Sequence, residues 1–337
     1  MPRLRHVQAS QPGWTRRRSG RGFRYLDPAG DPVPPGEVER IRALAIPPAW
    51  RDVWICPLPN GHLQATGVDA AGRRQYLYHP DWRARRDRLK FQRVAEAARL
   101  LPRVRRRVSA DLRRPGMPLE RAAATAVRLL DLGYFRIGND YYADANGSFG
   151  LTTLERRHVR RHGTGLAFQF VGKSGIEHHV MIEDAQAIAA LESMRRRSGG
   201  GRLLAYREAG GWVDLGSGVV NAYLAELFGG GFTAKDFRTW HATVIAAEVL
   251  ALTTEPGRTQ ASRRRAERLA VGEVASYLGN TPAIARSSYV DPRVLDAYAA
   301  GHTIEAAARA RYSSAAARQS GLERAVLELL GVEPSRS

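Results

Sequence analysis

Four short segments of this chain contain residue types that, if brought together, could transfer a phosphoryl group. They occur in the order 134–140 (YFRIGND), 172–175 (GKSG), 235–241 (KDFRTWH) and 278–292 (LGNTPAIARSSYVDP). Each segment alone is weak evidence, because a single arginine or tyrosine usually has a surface or packing role. Their joint occurrence is what requires a chemical explanation.

The chemistry these residues could perform is attack on a phosphodiester. Tyr289 supplies an oxygen nucleophile, although its reference pKa near ~10 leaves about 0.1% phenolate at pH 7, so it needs neighbouring cations. Arg136 and Arg238 offer planar donor groups that bind non-bridging oxygens and neutralise charge as phosphorus becomes pentacoordinate. Lys173 can protonate a leaving 5′ oxygen, and the amide of Asn280 can donate to a phosphate oxygen.

Lysine is rare in this chain, which makes its positions informative. Only Lys90, Lys173 and Lys235 occur among 52 basic residues, a ratio that a GC-rich coding sequence explains by itself. Arginine is a poor proton donor because it is effectively always protonated, whereas lysine can give up a proton. Two of the three lysines lie inside the four segments, which favours a chemical role for them.

The sequence predicts neither a metal site nor a cofactor. Phosphoryl transfer by the groups above requires no metal ion. The pairs His178–His179 and Asp140 with Asp144 do not form a convincing ligand pattern, and Cys56 is the only cysteine.

The composition indicates a nucleic-acid partner. The 337 residues carry a net charge of +19, with a pI near 10.9, and a polyanion is the natural partner of such a surface. No apolar run approaches the ~20 residues that span a bilayer, and the N-terminus lacks a signal-peptide core. We therefore expect no membrane association and a cytoplasmic location at the nucleoid.

The elements that must position these residues fall into two regions, which predict an α+β fold. The first region, 1–90, is rich in Pro and Gly and contains the strand-like runs VWICPL, HLQATGVD and RQYLYHP. The second region, 91–337, has apolar residues at mainly helical spacing. We predict a small β-rich N-terminal domain and a larger, mainly helical domain.

Two local patterns in the second region place the candidate residues. The run LAFQFVGKSGIEHHVMI predicts an antiparallel hairpin with Lys173 at its tip. Thr233, followed three residues later by Asp236, predicts a capping box that opens the helix containing Arg238. Asn280-Thr-Pro predicts another helix start with proline in its first turn.

Taken together, the motifs resemble the catalytic pentad of the small type IB DNA topoisomerases of the poxvirus and bacterial type. The resemblance implies that Arg136 and Arg238 bind the phosphate, Lys173 is the general acid and Tyr289 is the nucleophile. Family members usually have a histidine nine residues before the tyrosine, and here Asn280 occupies that position. The family forms a 3′-phosphotyrosyl link, relaxes supercoils by strand rotation and reseals the strand without ATP.

The resemblance covers about residues 40–295 and implies a clamp on double-stranded DNA by a monomer. In the family, tyrosines on a strand of the small β-rich domain touch DNA. Tyr76 and Tyr78 alternate at the period of a strand and would share one face of it. Together with Lys235, they are the candidate DNA-contacting residues.

Two other classes of function remain as alternatives. Tyrosine recombinases share the two arginines, the lysine hairpin and the tyrosine, but usually have histidine at the position of Lys235. A non-catalytic basic DNA-binding protein would explain the charge but not the motifs around Lys173 and Tyr289. His241, three residues after Arg238, could belong either to the site or to the core, and Tyr76 and Tyr78 could pair within a sheet without any ligand.

Overall fold

The computed structural model describes residues 3–133, 135–138, 147–253 and 259–333, and the chain divides into two compact units. The first unit is Met1–Lys90 and the second is Phe91–Ser337. Three residues named above lie outside the described residues: Tyr134 and Asp140 of the first motif, and Asp144, which was considered with Asp140 as a metal ligand.

The first unit contains a five-stranded antiparallel sheet with the strand order β2-β1-β3-β4-β5. The strands are β1 (Trp14–Ser19), β2 (Gly22–Leu26), β3 (Arg51–Ile55), β4 (Leu63–Val68) and β5 (Arg74–Tyr78). Strands β3 to β5 confirm the three strand-like runs. Strands β1 and β2 were not predicted, because their residues are mostly exposed and rich in arginine, which hides the apolar alternation of a strand.

A helix in the proline-rich stretch of the first unit was also not predicted. Helix α1 (Pro35–Ala43) has proline at its first position, where the missing N–H costs nothing. Its Ile41 is buried in one cluster with Val53, Ile55 and Ala65 of the sheet. This small core gives the first unit its own interior.

The second unit is mainly helical. Its helices are α2 (Pro80–Ala98, which begins in the first unit), α3 (Leu101–Leu112), α4 (Leu119–Gly133), α5 (Ala185–Arg195), α6 (Ser217–Phe228), α7 (Ala234–Leu252), α8 (Gln260–Leu278), α9 (Pro282–Ser288), α10 (Pro292–Ala299), α11 (Glu305–Arg309) and α12 (Ala315–Leu329). The predicted α+β class is confirmed. Over the described ranges, no helix combines the length and the hydropathy needed to cross a bilayer.

Two small antiparallel sheets accompany these helices. The three-stranded sheet consists of β6 (Val159–His162), β7 (Gly165–Val171) and β8 (Glu177–Ile182), and a separate pair consists of β9 (Ala205–Glu208) and β10 (Gly211–Asp214). Strands β7 and β8 confirm the predicted hairpin. Its turn is closed by the Gly172 N–H, which donates to the carbonyl of Ile176 at 2.8 Å.

Helix α7 runs through the interior of the second unit and carries Arg238. Most of its residues are buried, including Phe237 and Trp240, as expected for a helix that is apolar around most of its circumference. The predicted capping box is confirmed, since the Asp236 carboxylate accepts from the Thr233 N–H at 2.9 Å. Arg93 of α2 binds the same carboxylate through both terminal nitrogens, which anchors the start of α7.

The connection from α8 to α9 places Asn280. Gly279 ends α8 in the left-handed conformation with φ of 57°, which glycine adopts at no steric cost. The Asn280 N–H donates back to the carbonyl of Ala275 at 3.0 Å. Thr281 then caps α9, and Tyr289 follows the last residue of that helix.

Candidate active site

Arg136 and Asn280 form the first contact of the candidate site. Arg136 follows α4, is half-buried, and donates from Nη2 to the Gly279 carbonyl at 3.0 Å and to the Asn280 Oδ1 at 2.6 Å. A guanidinium only donates, so the Asn280 amide must present its oxygen to Arg136 and its Nδ2 elsewhere. Nδ2 is buried and has no hydrogen-bond partner in the part of the chain that the structure describes.

Arg238 and Tyr289 form the second contact. Arg238 is 3% exposed and donates from Nη2 to the Leu278 carbonyl at 2.7 Å. Its guanidinium carbon lies 5.4 Å from the centroid of the Tyr289 ring, and the two side chains also hydrogen-bond. Burial and the nearby Arg136 lower the pKa of Arg238 to about 10, so Arg238 remains a cation at neutral pH.

These cations act on the phenol of Tyr289. Burial alone would raise the pKa of Tyr289, but Arg238, Arg136 and Lys235 outweigh it and bring the pKa below its ordinary value. Lys235 exerts this effect from the exposed side of the first turn of α7. The surroundings therefore increase the phenolate fraction, which is the activation that the sequence analysis required.

Lys173 is not part of this cluster in the structure. It lies exposed on the turn between β7 and β8, and it makes no hydrogen bond or ion pair with the other four candidate residues. The next residue, Ser174, has a φ of 66°, an uncommon conformation for a residue with a side chain. The structure therefore groups Arg136, Asn280, Arg238 and Tyr289 and leaves Lys173 on a neighbouring hairpin.

His178 is a site neighbour that the sequence analysis missed. Its Nε2 lies 3.5 Å from Arg136 Nη1, and its ring stacks on Phe170. Burial, followed by Arg136 and Arg238, lowers the pKa of His178 to about 4. The alternation of side chains along a strand could have indicated this position. His178 and His179 must face opposite sides of β8, so only one of the two can face the site.

His241 belongs to a buried ionic network. Its Nε2 lies 3.3 Å from the Asp131 carboxylate, and Gln319 lies beside its Nδ1. Arg105 joins this network by binding both Asp131 and Glu323. These contacts favour the core interpretation of His241 over a role in the site.

Tyr76 and Tyr78 lie on one exposed face of β5 in the first unit. They are 48% and 40% exposed, and their rings stack with centroids 6.2 Å apart. In the residues that the structure describes, no group of three or more His, Cys, Asp or Glu side chains could hold a metal ion.

Comparison with known proteins identifies the family. Residues 79–312 match the family model of the eukaryotic DNA topoisomerase I catalytic core, and residues 22–69 match that of the bacterial DNA topoisomerase IB N-terminal domain. The first match covers more than half of the chain. The chain belongs to the type IB DNA topoisomerases, a family of isomerases, as its motifs predicted.

Individual relatives agree with this assignment. DNA topoisomerase 1B of Acanthamoeba polyphaga mimivirus is 29% identical over 295 residues, which cover 85% of this chain and 87% of the relative. DNA topoisomerase 1B of vaccinia virus (strain Western Reserve) is 23% identical over 283 residues, covering 81% and 84%. DNA topoisomerase 1 of Schizosaccharomyces pombe is 29% identical over 138 residues, covering 40% of this chain and 16% of the relative. The recombinase and non-catalytic alternatives have no such support.

Proposed function

We propose that this topoisomerase nicks one strand of duplex DNA through Tyr289 and relaxes supercoils before it reseals the strand. The observation that carries the proposal is the contact of the Tyr289 phenol with Arg238, because it combines a nucleophile with a cation that lowers its pKa. The phenol oxygen attacks phosphorus, the bond from phosphorus to the 5′ oxygen breaks, and a 3′-phosphotyrosyl link forms. Resealing is the reverse reaction.

Each neighbour has a separate role in this step. Arg136 and Arg238 bind the non-bridging oxygens and offset the charge of the pentacoordinate phosphorus. Asn280 donates from Nδ2, the atom that its contact with Arg136 directs away from the guanidinium. Lys173 protonates the leaving 5′ oxygen, a role supported by its exposed position on the hairpin turn and by the ability of lysine to give up a proton.

The reaction needs neither ATP nor a metal ion under this proposal. One phosphodiester is exchanged for another, so the bond energy is kept in the protein–DNA link until resealing. The charge that develops at phosphorus is met by the guanidinium groups of the half-buried Arg136 and the buried Arg238. Rotation of the free strand is driven by the torsional strain of the supercoiled substrate.

DNA binding involves both units and the overall positive charge. We assign Tyr76 and Tyr78 to DNA contacts from the first unit and Lys235 to a phosphate contact near the site, because all three are exposed. The net charge of +19 predicts affinity that falls steeply with salt, since phosphate contacts release counterions. We further propose that the protein acts as a monomer in the cytoplasm, at the nucleoid.

Relaxation of negatively supercoiled plasmid in EDTA without ATP tests this function. The wild-type protein should relax the plasmid and, when quenched with detergent, leave protein covalently attached to nicked DNA. Tyr289→Phe should bind DNA with unchanged affinity but give neither relaxation nor adduct. An adduct formed by Tyr289→Phe, or a wild-type reaction abolished by EDTA, contradicts the proposal.

A further inference from the structure

The imidazole of His178 is held in one place by its surroundings. A Cβ atom on Gly172 would lie 2.6 Å from the His178 Cδ2, and a Cβ on Gly279 would lie 2.6 Å from its Cε1. No real Cβ comes so close, so the ring occupies space that only glycine leaves free at both positions. Two segments far apart in sequence thus enclose the same ring.

A stack of aromatic rings also packs against the same imidazole. The His178 ring lies on Phe170, its direct partner across β7 and β8, with centroids 5.1 Å apart and planes 18° apart. Phe170 stacks in turn on Phe135 at 5.8 Å, and Phe135 immediately precedes Arg136. The stack therefore links the position of His178 to the segment that carries Arg136.

The nitrogen that faces Arg136 acts as a hydrogen-bond acceptor. Arg136 can only donate, so the contact of its Nη1 with the His178 Nε2 at 3.5 Å places the ring proton on Nδ1. Burial and the nearby arginines hold the pKa of His178 at about 4, so the ring is neutral at neutral pH and its Nε2 keeps a free lone pair. A protonated imidazole would repel the guanidinium instead.

Packing alone does not hold the Arg136 side chain. A cavity of about 160 Å³ borders Arg136, His178 and Gly279. Protein interiors are otherwise close-packed, so this cavity leaves part of the surroundings of Arg136 unfilled, and its hydrogen bonds help to fix its position. Among the residues that the structure describes, three hydrogen-bond acceptors contact Arg136, namely the Gly279 carbonyl, the Asn280 Oδ1 and the His178 Nε2.

We propose that His178 is a positioning residue for Arg136, which it orients through its Nε2 for binding the phosphate. The inference rests on the proposed role of Arg136. His178 binds Nη1, while Gly279 and Asn280 bind Nη2. Acceptors on both terminal nitrogens prevent rotation of the guanidinium, and misplacement of such a group costs catalysis without removing the group.

Two substitutions separate the acceptor from the ring. His178→Phe keeps the ring and its stack on Phe170 but removes the acceptor, whereas His178→Gln offers its Oε1 near the position of Nε2. We expect His178→Phe to lower the single-turnover cleavage rate at saturating DNA by roughly 10- to 100-fold, with unchanged DNA affinity. His178→Gln should recover most of the rate. Equal rates for His178→Phe and the wild type would overturn the proposal.

His179 offers a matched control on the same strand. Its side chain is 65% exposed and lies beside Glu177, so His179→Phe and His179→Gln should cleave at the wild-type rate. A loss in His179→Phe as large as in His178→Phe would attribute the effect to β8 in general and would overturn the proposal.

A 5′-bridging phosphorothiolate substrate shows through which residue His178 acts. Its sulfur leaves without a proton, so it bypasses the role proposed for Lys173. If His178 acts through Arg136, sulfur should change the cleavage rates of His178→Phe and Arg136→Ala in the same direction, and a response of His178→Phe that follows Lys173→Ala but not Arg136→Ala would overturn the proposal. If Arg136→Ala cleaves at the wild-type rate, the proposed function is contradicted. If Arg136→Ala is slow but His178→Phe cleaves at the wild-type rate, only the proposed role of His178 is contradicted.

Discussion

The Nη2 of Arg136 and the Oδ1 of Asn280 lie 2.6 Å apart, and this contact determines which way the Asn280 amide points. Because the oxygen faces the guanidinium, the Nδ2 is the atom left to donate to a phosphate oxygen. Under the proposed function, the usual histidine of the family is thus replaced by a neutral donor whose orientation is set by a neighbouring cation. The positive charge at the site comes from Arg136 and Arg238.

Substitution of Asn280 tests this orientation. Asn280→Ala removes the donor and should lower the cleavage rate by roughly 100-fold, as expected for one donor to a developing charge. Asn280→Asp keeps the size but presents a negative acceptor to the phosphate, so its rate should fall below that of Asn280→Ala. Single-turnover cleavage of a suicide duplex measures both, and faster cleavage by Asn280→Asp than by Asn280→Ala would contradict the assignment of Nδ2 as the donor.

The pKa of Tyr289 should depend on its neighbours in a defined order. Arg238 lowers this pKa more than Arg136 does, and Lys235 lowers it least. Removal of Arg238 or of Lys235 should raise the pKa of Tyr289. The midpoint of the cleavage rate against pH should then move to higher pH. We expect a larger shift in Arg238→Gln than in Lys235→Gln, because Arg238 is buried and Lys235 is exposed to screening by solvent. Profiles with equal or reversed shifts would show that Arg238 is not the principal activator of the phenol.

Lys173 is expected to act as a proton donor although it lies outside the cluster. Lys173→Ala should lower cleavage of ordinary DNA by roughly 100- to 10,000-fold, the usual contribution of general acid catalysis. A 5′-bridging phosphorothiolate should restore most of that rate, because a thiolate leaves without protonation. Lys90→Ala, which changes a lysine outside the four motifs, is the control and should behave as the wild type on both substrates. Failure of the sulfur substrate to rescue Lys173→Ala would leave Lys173 a purely electrostatic role.

The network of Arg105, Asp131 and Glu323 should stabilise the second unit. Asp131→Asn removes one carboxylate from the half-buried Arg105 while Glu323 stays bound to it, and should cost about 1.5–3 kcal/mol of unfolding free energy. The exposed pair of Arg309 and Glu305 is the control, and its removal should cost about 0.5 kcal/mol or less. Urea denaturation at neutral pH measures both, and equal costs would contradict the prediction.

The ionised Asp131 carboxylate should also make the stability of the second unit sensitive to acid. Burial alone would raise the pKa of Asp131, but Arg105 and then His241 outweigh it and bring the pKa far below the usual range. The folded state thus releases this proton more readily than the unfolded chain. The stabilisation is complete above about pH 4, the ordinary aspartate value, and is lost as the pH falls further. In Asp131→Asn, the loss of stability below that pH should be smaller than in the wild type.

The sequence alone determined the residue types, their order and the local elements that carry them. The hairpin around Lys173, the capping box of Thr233 and Asp236 and the helix start after Asn280 depend on short-range rules, and all three are present in the structure. The missed elements had weaker local signals: arginine fills the middle of β1, β2 has only five residues, and α1 begins within a run of prolines that is typical of a loop.

The tertiary structure alone decided the electrostatics and the partners of these residues. A pKa depends on burial and on charges within a few ångströms, so the lowered pKa of Tyr289 arises only when Arg238 and Arg136 converge on it. The role of His178 has the same origin, since its ring meets Arg136 and Gly279 from distant parts of the chain. Sequence spacing describes neighbours along one helix or strand. This site is instead assembled from a loop, a hairpin, helix α7, the connection between α8 and α9, and the end of α9.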